Sequence, residues 1–157
     1  MYERILVPLD GSKVGEAALP YVEELVSKLS PELKVEITLF QVVSSTHWVV
    51  AGEASAPVSY TEKELELIKQ KVIDYLDKAG EGLRSKRAIV KTKVGIGSAA
   101  EEIIKTADEI NANWIAMSTH GRSGLSRWAF GSVTDKVLRG GNKPMLVVRA
   151  PRDTAKT

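Results

Sequence analysis

The chain contains no cysteine, which excludes disulfides, thiolate metal sites and cysteine nucleophiles together. Histidine is almost as scarce. Only His47 and His120 occur in 157 residues, so no histidine-rich metal cluster can be assembled. No apolar run approaches the ~20 residues that a membrane-spanning helix needs. The opening MYERILVPLD carries Glu3 and leads straight into a strand-like segment, so no signal peptide is expected. Charge of one sign is missing too: Lys plus Arg number 22 against 20 for Asp plus Glu, a net charge of +2. No basic run is flanked by stacking aromatics, so nucleic acid is not an expected partner and neither is a membrane. What these absences leave is a soluble domain, cytoplasmic by default, whose 43% hydrophobic residues can build one real core.

What is present alternates between strand-like runs and helical periodicity. RILVPLD (Arg4 to Asp10) is a short apolar run stopped by Pro8 and the turn residues Asp10, Gly11 and Ser12. Val14, Ala17, Ala18, Tyr21, Val22, Leu25 and Leu29 then recur at three- and four-residue steps, one face of a helix with Ser12 as its expected N-cap. VEITLFQVV (Val35 to Val43) reads as the second strand. Thr61 and Glu64 have capping-box spacing ahead of a helix that faces inward with Leu65, Ile68, Val72, Tyr75, Leu76 and Ala79. AIVKTKV (Ala88 to Val94) alternates apolar residues with Lys91 and Lys93. Ser98 and Glu101 repeat the capping-box spacing before Ile103, Ile104, Ala107 and Ile110. WIAM (Trp114 to Met117) is the fourth strand, a helix is expected over 132–139, and PMLVV (Pro144 to Val148) is the fifth.

This alternation predicts an α/β fold: a three-layer sandwich around a five-stranded parallel sheet, flavodoxin-like or Rossmann-like. The first and fourth strands are apolar throughout, as central strands are, and the lysines of the third mark a defended edge. The expected order is therefore 3-2-1-4-5, with a topological switch point between strands one and four, where such sheets bind ligands beyond the strands' carboxyl ends. One domain is expected over 1–150, with a loose tail at 151–157. Residues 44–60 are long for a connection; a lid over the rim is the expectation, with plain disorder the other reading.

The stretch STHGRSGLSRWAFGS (Ser118 to Ser132) follows the fourth strand and so falls on that rim. Glycines at 121, 124 and 131 let the backbone come close to a ligand, and successive N–H groups ahead of a helix make an anion site. Ser118, Thr119, Ser123 and Ser132 add hydroxyl donors, Ser132 also serving as a cap. Arg122 and Arg127 answer negative charge or are solvated surface residues, and Trp128 and Phe130 pack on the sheet or a partner, or stack on a base. No Gly-Lys-Ser/Thr of a Walker A loop occurs here, and LDGSKVG lacks the spacing of a dinucleotide fingerprint. Asp10, at the switch point, either accepts from ribose hydroxyls, reaches a phosphate-bound metal, or simply opens a turn.

Three segments together resemble the universal stress protein family: ILVPLDGS, VGIGSAAEEII and STHGRSGLSRWAFGSVTDKVLRGGNKPMLVV, a match over nearly the whole chain. Its ATP-binding members carry G-x-x-G, nine residues, then G-[ST]. Here the frame reads Ser118-Thr-His-Gly121, nine residues, Gly131-Ser132, so the first anchor alone departs. The resemblance implies an adenine nucleotide alpha hydrolase-like fold and ATP as ligand, with Mg²⁺ or Mn²⁺ an occasional companion. It implies that Pro8, Leu9 and Asp10 line adenine and ribose, that Val42 meets the adenine through its backbone, and that Gly95 and Met117 close the adenine side. Gly121, Arg122, Gly131, Ser132 and Val133 would hold the phosphates, with Ser118 beside them. It further implies a homodimer through the last strand, whose apolar edge invites pairing with its copy.

No Ser-His-Asp arrangement and no paired carboxylates can be built from these spacings. His120, within the expected phosphate loop, is either a general base or a loop-shaping hydrogen bonder. The expected function is an ATP-binding regulatory module of the stress response, at most a slow ATPase. The alternative is a family member that binds no nucleotide and acts through its dimer surface. A flavodoxin-like electron carrier suits the fold class but not the motif.

Overall fold

A computed structural model describes residues 1–84, 86–119 and 131–151 of the chain. Its elements run β1 (Tyr2–Pro8), a 3₁₀ turn at Gly15–Ala18, α1 (Leu19–Lys28), β2 (Lys34–Val43), β3 (Thr46–Ala51), β4 (Ala54–Ser59) and α2 (Glu62–Ala79). They continue with α3 (Glu81–Arg84), β5 (Ala88–Ile96), α4 (Ala99–Glu109), β6 (Trp114–Thr119), α5 (Ser132–Gly140) and β7 (Met145–Arg149). Five strands form one parallel sheet in the order β5-β2-β1-β6-β7. In terms of the expected strands this is 3-2-1-4-5, with the reversal of direction at β1.

Each face of the sheet carries its own apolar cluster. On one, Ile5, Val7, Ile37 and Leu39 meet Val22 and Val26 of α1, Val72 and Leu76 of α2 and Leu83 of α3. On the other, Leu6, Phe40, Ile115 and Met117 meet Ala100, Ile103 and Ala107 of α4 and Val137 of α5. Consecutive residues of β1 thus serve opposite faces, which is why a fully buried central strand reads as a continuous apolar run. Across the 3₁₀ turn and α1 the buried stripe is Ala18, Val22 and Val26. Tyr21 and Leu25, expected on the same face, stand exposed, because the sheet contacts a narrower arc than the sequence pattern spans. At the edge, Lys91 pairs with Glu36 of β2 and Lys93 with Glu109 of α4, so the edge lysines also tie β5 to its neighbours.

Three local expectations meet the structure differently. Thr61 and Glu64 form a complete capping box: the Glu64 N–H donates to Thr61 Oγ1 at 3.2 Å, and the Thr61 N–H donates to Glu64 Oε2 at 2.7 Å. Ser98, with the same spacing to Glu101, makes no side-chain cap bond. It stands exposed, where solvent competes for the hydroxyl. Residues 44–60 are not an irregular loop. Most of them form an antiparallel ribbon, β3 against β4, turned by Gly52 and Glu53 with Gly52 at φ 65°. That left-handed conformation suits a tight hairpin turn, and glycine adopts it without penalty.

The capping box gives a testable expectation. Thr61→Ala should lower stability by about 1 kcal/mol in chemical denaturation. The Thr61 backbone N–H, and then its hydroxyl, hold the Glu64 carboxyl below its ordinary value. A lowered folded value means the contribution is present above the ordinary carboxylate range and is lost as pH falls through the folded value. The stability difference between wild type and Glu64→Gln should therefore be constant near neutrality and close on acidification.

Candidate functional site

The site begins with a divergence between two strands. β1 is in register with β2 along all seven of its residues, from Tyr2↔Lys34 to Pro8↔Phe40, but with β6 only at Ile5↔Trp114 and Leu6↔Ile115. Below this contact the strands are tied, since Arg4 and Asn113 exchange two hydrogen bonds of 2.8 Å. Above it they part, and Pro8 has no N–H with which to continue a ladder. A cleft of about 210 Å³ occupies the opening. It is small against the roughly 300–1,000 Å³ of drug-sized pockets, which suits a base and sugar with the remainder of a ligand outside.

Of the expected site residues, Pro8, Leu9, Asp10, Val42, Met117, Ser118, Gly131, Ser132 and Val133 all line this one cleft. Gly95 does not. It lies a layer behind, where a Cβ would come within 2.6 Å of the Phe40 ring. Its missing side chain lets Phe40, fully buried, form the cleft wall. Gly121 and Arg122 lie outside the described residues, as do His120, Ser123, Gly124, Arg127, Trp128 and Phe130. Thr119, expected as a further hydroxyl donor, also lines it, and sequence reasoning missed Gly15, Phe40, Ala99, Ile103 and Thr134. Gly15 had a usable signal, a second glycine shortly after DGS. A Cβ there would sit 2.5 Å from Asp10 Oδ1. Phe40 and Ile103 look like plain core in the sequence, and they are core as well as wall.

Asp10 performs the turn role assigned to it as one reading. Its Oδ1 accepts from both the N–H and the hydroxyl of Ser12. Ser12 Oγ in turn accepts from the Gly15 N–H at 3.0 Å. The cap position of the 3₁₀ turn is Val14 and that of α1 is Ala18, so Ser12 braces the turn and is not the N-cap expected of it. The carboxylate is thereby held at the rim, exposed, and it is the one charged group among the described lining residues. Tyr75 of α2 senses it. Burial pushes the Tyr75 phenol up to about 12, with the Glu16 and Asp10 carboxylates adding to the shift.

Ser118 departs from the expectation that its hydroxyl faces a phosphate. The hydroxyl donates to the Gly15 carbonyl at 2.9 Å and accepts from the Ala18 N–H at 2.8 Å. It ties the end of β6 to the turn that carries Asp10, its proton and one lone pair being used within the protein. Thr119 is used similarly: its Oγ1 accepts from the Gly131 N–H at 3.0 Å. The cap of α5 is another correction. Ser132 is the first helical residue, not the cap, and Gly131 occupies the cap position with no side chain to offer. Its own backbone is engaged on both sides, the N–H by Thr119 Oγ1 and the carbonyl by the Asp135 N–H at 2.9 Å. Among the described residues, the first N–H groups of α5, at Ser132, Val133 and Thr134, therefore have neither an intrahelical acceptor nor a side-chain cap, and they stand at the mouth of the cleft.

Gly131 is distinctive in another way. Its φ of −47° and ψ of 153° are open to any residue. The nearest described atom to a Cβ built there is Thr119 Oγ1 at 3.8 Å, an ordinary contact. Neither backbone strain nor packing among the described residues requires glycine at this position.

A model of the universal stress protein family matches residues 1–149. The chain belongs to the universal stress protein family. Universal stress protein MJ0577 of Methanocaldococcus jannaschii is 32% identical over 161 residues, spanning 95% of this chain and 96% of that protein. The solved structure of MJ0577 superposes with a TM-score of 0.71 at 25% identity, covering 98% and 99% of the two chains. Two solved family members share the fold at lower identity. One, from Arabidopsis thaliana with AMP bound, has a TM-score of 0.63 at 14% identity and covers 96% and 94% of the chains. The other, from Archaeoglobus fulgidus in complex with dAMP, has a TM-score of 0.57 at 20% identity and covers 96% and 98%.

The Ser118 tie can be checked directly. Ser118→Ala removes the partner of the Ala18 N–H and the Gly15 carbonyl together, and should cost about 1–3 kcal/mol in urea denaturation. A hydroxyl serving only a ligand would leave the stability of the free protein unchanged.

Proposed function

We propose that this universal stress protein binds an adenine nucleotide, ATP in the first place, as a regulatory module. The single observation that carries the reading is the start of α5. A helix of nine residues opens on the cleft with a side-chain-free cap, at a glycine that the described fold does not itself need. A phosphate is the natural acceptor for such N–H groups, and the helix dipole favours its charge. The flat apolar wall of Phe40, Val42 and Met117 suits a purine, and Asp10, pinned by Ser12, presents its carboxylate where a ribose hydroxyl would donate. AMP and dAMP in two structures of the same fold support the base and sugar half of this assignment.

The residues fit a nucleotide better than they fit a separate metal site. No group of three or more acidic or histidine side chains that could hold an ion occurs among the described residues. Mg²⁺ or Mn²⁺ would arrive with the phosphates, taking most of its ligands from their oxygens and from water, with Asp10 the one lining carboxylate within the described set. What the ion supplies is charge neutralisation of the phosphates. We extend the reading to one cytoplasmic domain over 1–150 that forms a homodimer along the edge strand β7. Among the described residues no helix is long and apolar enough to cross a membrane.

A second reading, a family member that works by protein contacts without nucleotide, is favoured by one observation. Ser118 and the Gly131 N–H, both in the expected phosphate frame, are already bonded within the protein. Calorimetric titration decides between the two. Mg-ATP and AMP should both bind, and Gly131→Val should abolish ATP binding while leaving the unfolding midpoint near wild type, because a Cβ is sterically tolerated there. Asp10→Ala should weaken binding by about 1–3 kcal/mol, the loss of a hydrogen bond to a charged acceptor. Heatless titrations with both nucleotides, or unchanged affinity in Gly131→Val, would establish the second reading.

A further inference from the structure

The ribbon of β3 and β4 is the one described part of the chain that folds without a core. None of its residues belongs to either apolar cluster, yet it exposes large apolar side chains. Trp48 is 68% exposed, Val50 72%, Val49 44% and Val58 42%. Its only sheet partner is itself, since the two strands form a separate two-stranded sheet. The base is held by the Tyr60 N–H donating to the Ser45 carbonyl at 3.1 Å and by His47 against the Tyr60 ring. An isolated two-stranded hairpin is marginally stable in water, and a third strand is the usual remedy. Apolar surface on both faces is a poor design for a ribbon that stays alone.

The two outer edges of the ribbon differ. The Gly52–Glu53 turn makes Ala51↔Ala54 the closing hydrogen-bonded pair, so bonded and non-bonded pairs alternate from there along the register. Trp48↔Pro57 then falls at a non-bonded pair, the only kind that a proline, lacking an N–H, occupies without losing a ladder bond. The outer edge of β4 is thus presented by Ser55, Pro57 and Ser59, and Pro57 blunts it. The outer edge of β3 is presented by Thr46, Trp48 and Val50; Thr46 spends its N–H and carbonyl on the Ser44 hydroxyl, while Trp48 and Val50 each present an N–H to give and a carbonyl to accept. One side of the arm is closed to further pairing and the other is open.

The chemistry of the open side selects its occupant. Residues 46–59 contain no Lys or Arg and a single carboxylate, Glu53 at the tip, in a chain that is 27% charged. A nucleic acid or an anionic lipid surface would call for cations that the arm lacks. A second copy of the chain brings the same uncharged edge, and the edge is self-complementary. Antiparallel pairing about a two-fold axis at Val49 sets Trp48 opposite the partner's Val50 and Val50 opposite the partner's Trp48. Both are outward-bonding positions, so donors meet acceptors. It places an aromatic against a β-branched side chain on either side of the axis, a favourable cross-strand pair. The two Glu53 tips lie at opposite ends of the seam and do not oppose each other.

We propose that β3 is an interface for a second copy of this chain, two arms pairing antiparallel through Val49 to form one four-stranded sheet, β4-β3-β3-β4. The seam is separate from β7 and independent of whether a nucleotide occupies the cleft.

The absence of native cysteine makes the test direct. Val49→Cys places one thiol per chain on the proposed axis, where the two Cβ atoms fall within disulfide range, and Glu53→Cys places one at the tip, out of range of its copy. Mild oxidation of the purified proteins should give about tenfold more covalent dimer from Val49→Cys than from Glu53→Cys on a non-reducing gel. Because both positions are on the arm and outside the core, neither substitution endangers the fold. Trp48→Lys combined with Val50→Lys sets like charges across the seam. It should halve the mass measured by sedimentation equilibrium while leaving the unfolding midpoint of the domain unchanged. Equal cross-linking at positions 49 and 53, or an unaltered mass for the double lysine variant, would overturn the proposal. So would Val49→Cys giving no covalent dimer while wild type sediments with phosphatidylcholine vesicles, an outcome that would assign the arm to a lipid surface instead.

Discussion

The feature on which the rest of the molecule depends is the short contact between β1 and β6. Two residues of β1 stand in register with β6, against seven with β2. The strand order reverses here, so the crossovers on either side carry their helices to opposite faces, and the two carboxyl ends part from one another. Every lining residue from β1 and β6 is a residue beyond that contact: Pro8, Leu9 and Asp10 on one side, Met117, Ser118 and Thr119 on the other. A longer β1–β6 ladder would close the cleft. The pairing at Ile5 and Leu6 is therefore both the hinge of the core, since these two side chains feed different apolar clusters, and the floor of the site.

Around that opening the protein uses its own hydroxyls and carboxylate to fix the rim. Ser12 holds Asp10, Ser118 holds the turn behind Asp10, and Thr119 holds the cap of α5. These bonds link three segments far apart in the chain, so the rim is positioned before any ligand arrives. Such preorganisation reduces what a ligand must spend on ordering the site. Against the frame that the resemblance implies, with glycine at 118, the serine hydroxyl here has a structural partner on each side, the Gly15 carbonyl and the Ala18 N–H.

Residues whose role follows from local chemistry were readable in advance. The apolar run of β1, the lysines of β5, the Thr61–Glu64 box and the order of the five strands all appear in the structure as the periodicity indicates. Residues whose role depends on who lies opposite were not. Ser98 has the same capping spacing as Thr61 and makes no cap bond. Gly95 reads as a ligand glycine and instead clears space for Phe40. Ser132 reads as a cap and is the first helical residue. The ribbon was hidden for a different reason: THWVVA and ASAPVS do not alternate, because neither face of the arm packs on the core, and alternation is the imprint of one buried face.

By itself the sequence determined the layers and their order, since burial of apolar side chains with period two or near 3.6 is a local pattern that forces each segment's state and its inward face. It also determined the family and the neighbourhood of the site, because the switch point follows from strand order alone. Tertiary structure decided which of the glycines and hydroxyls face outward to a ligand and which inward to the protein. A hydrogen bond from Ser118 to Gly15, or the space that Gly95 leaves for Phe40, joins residues tens of positions apart. Such pairings exist only once the sheet has brought those positions together, and no local pattern encodes them.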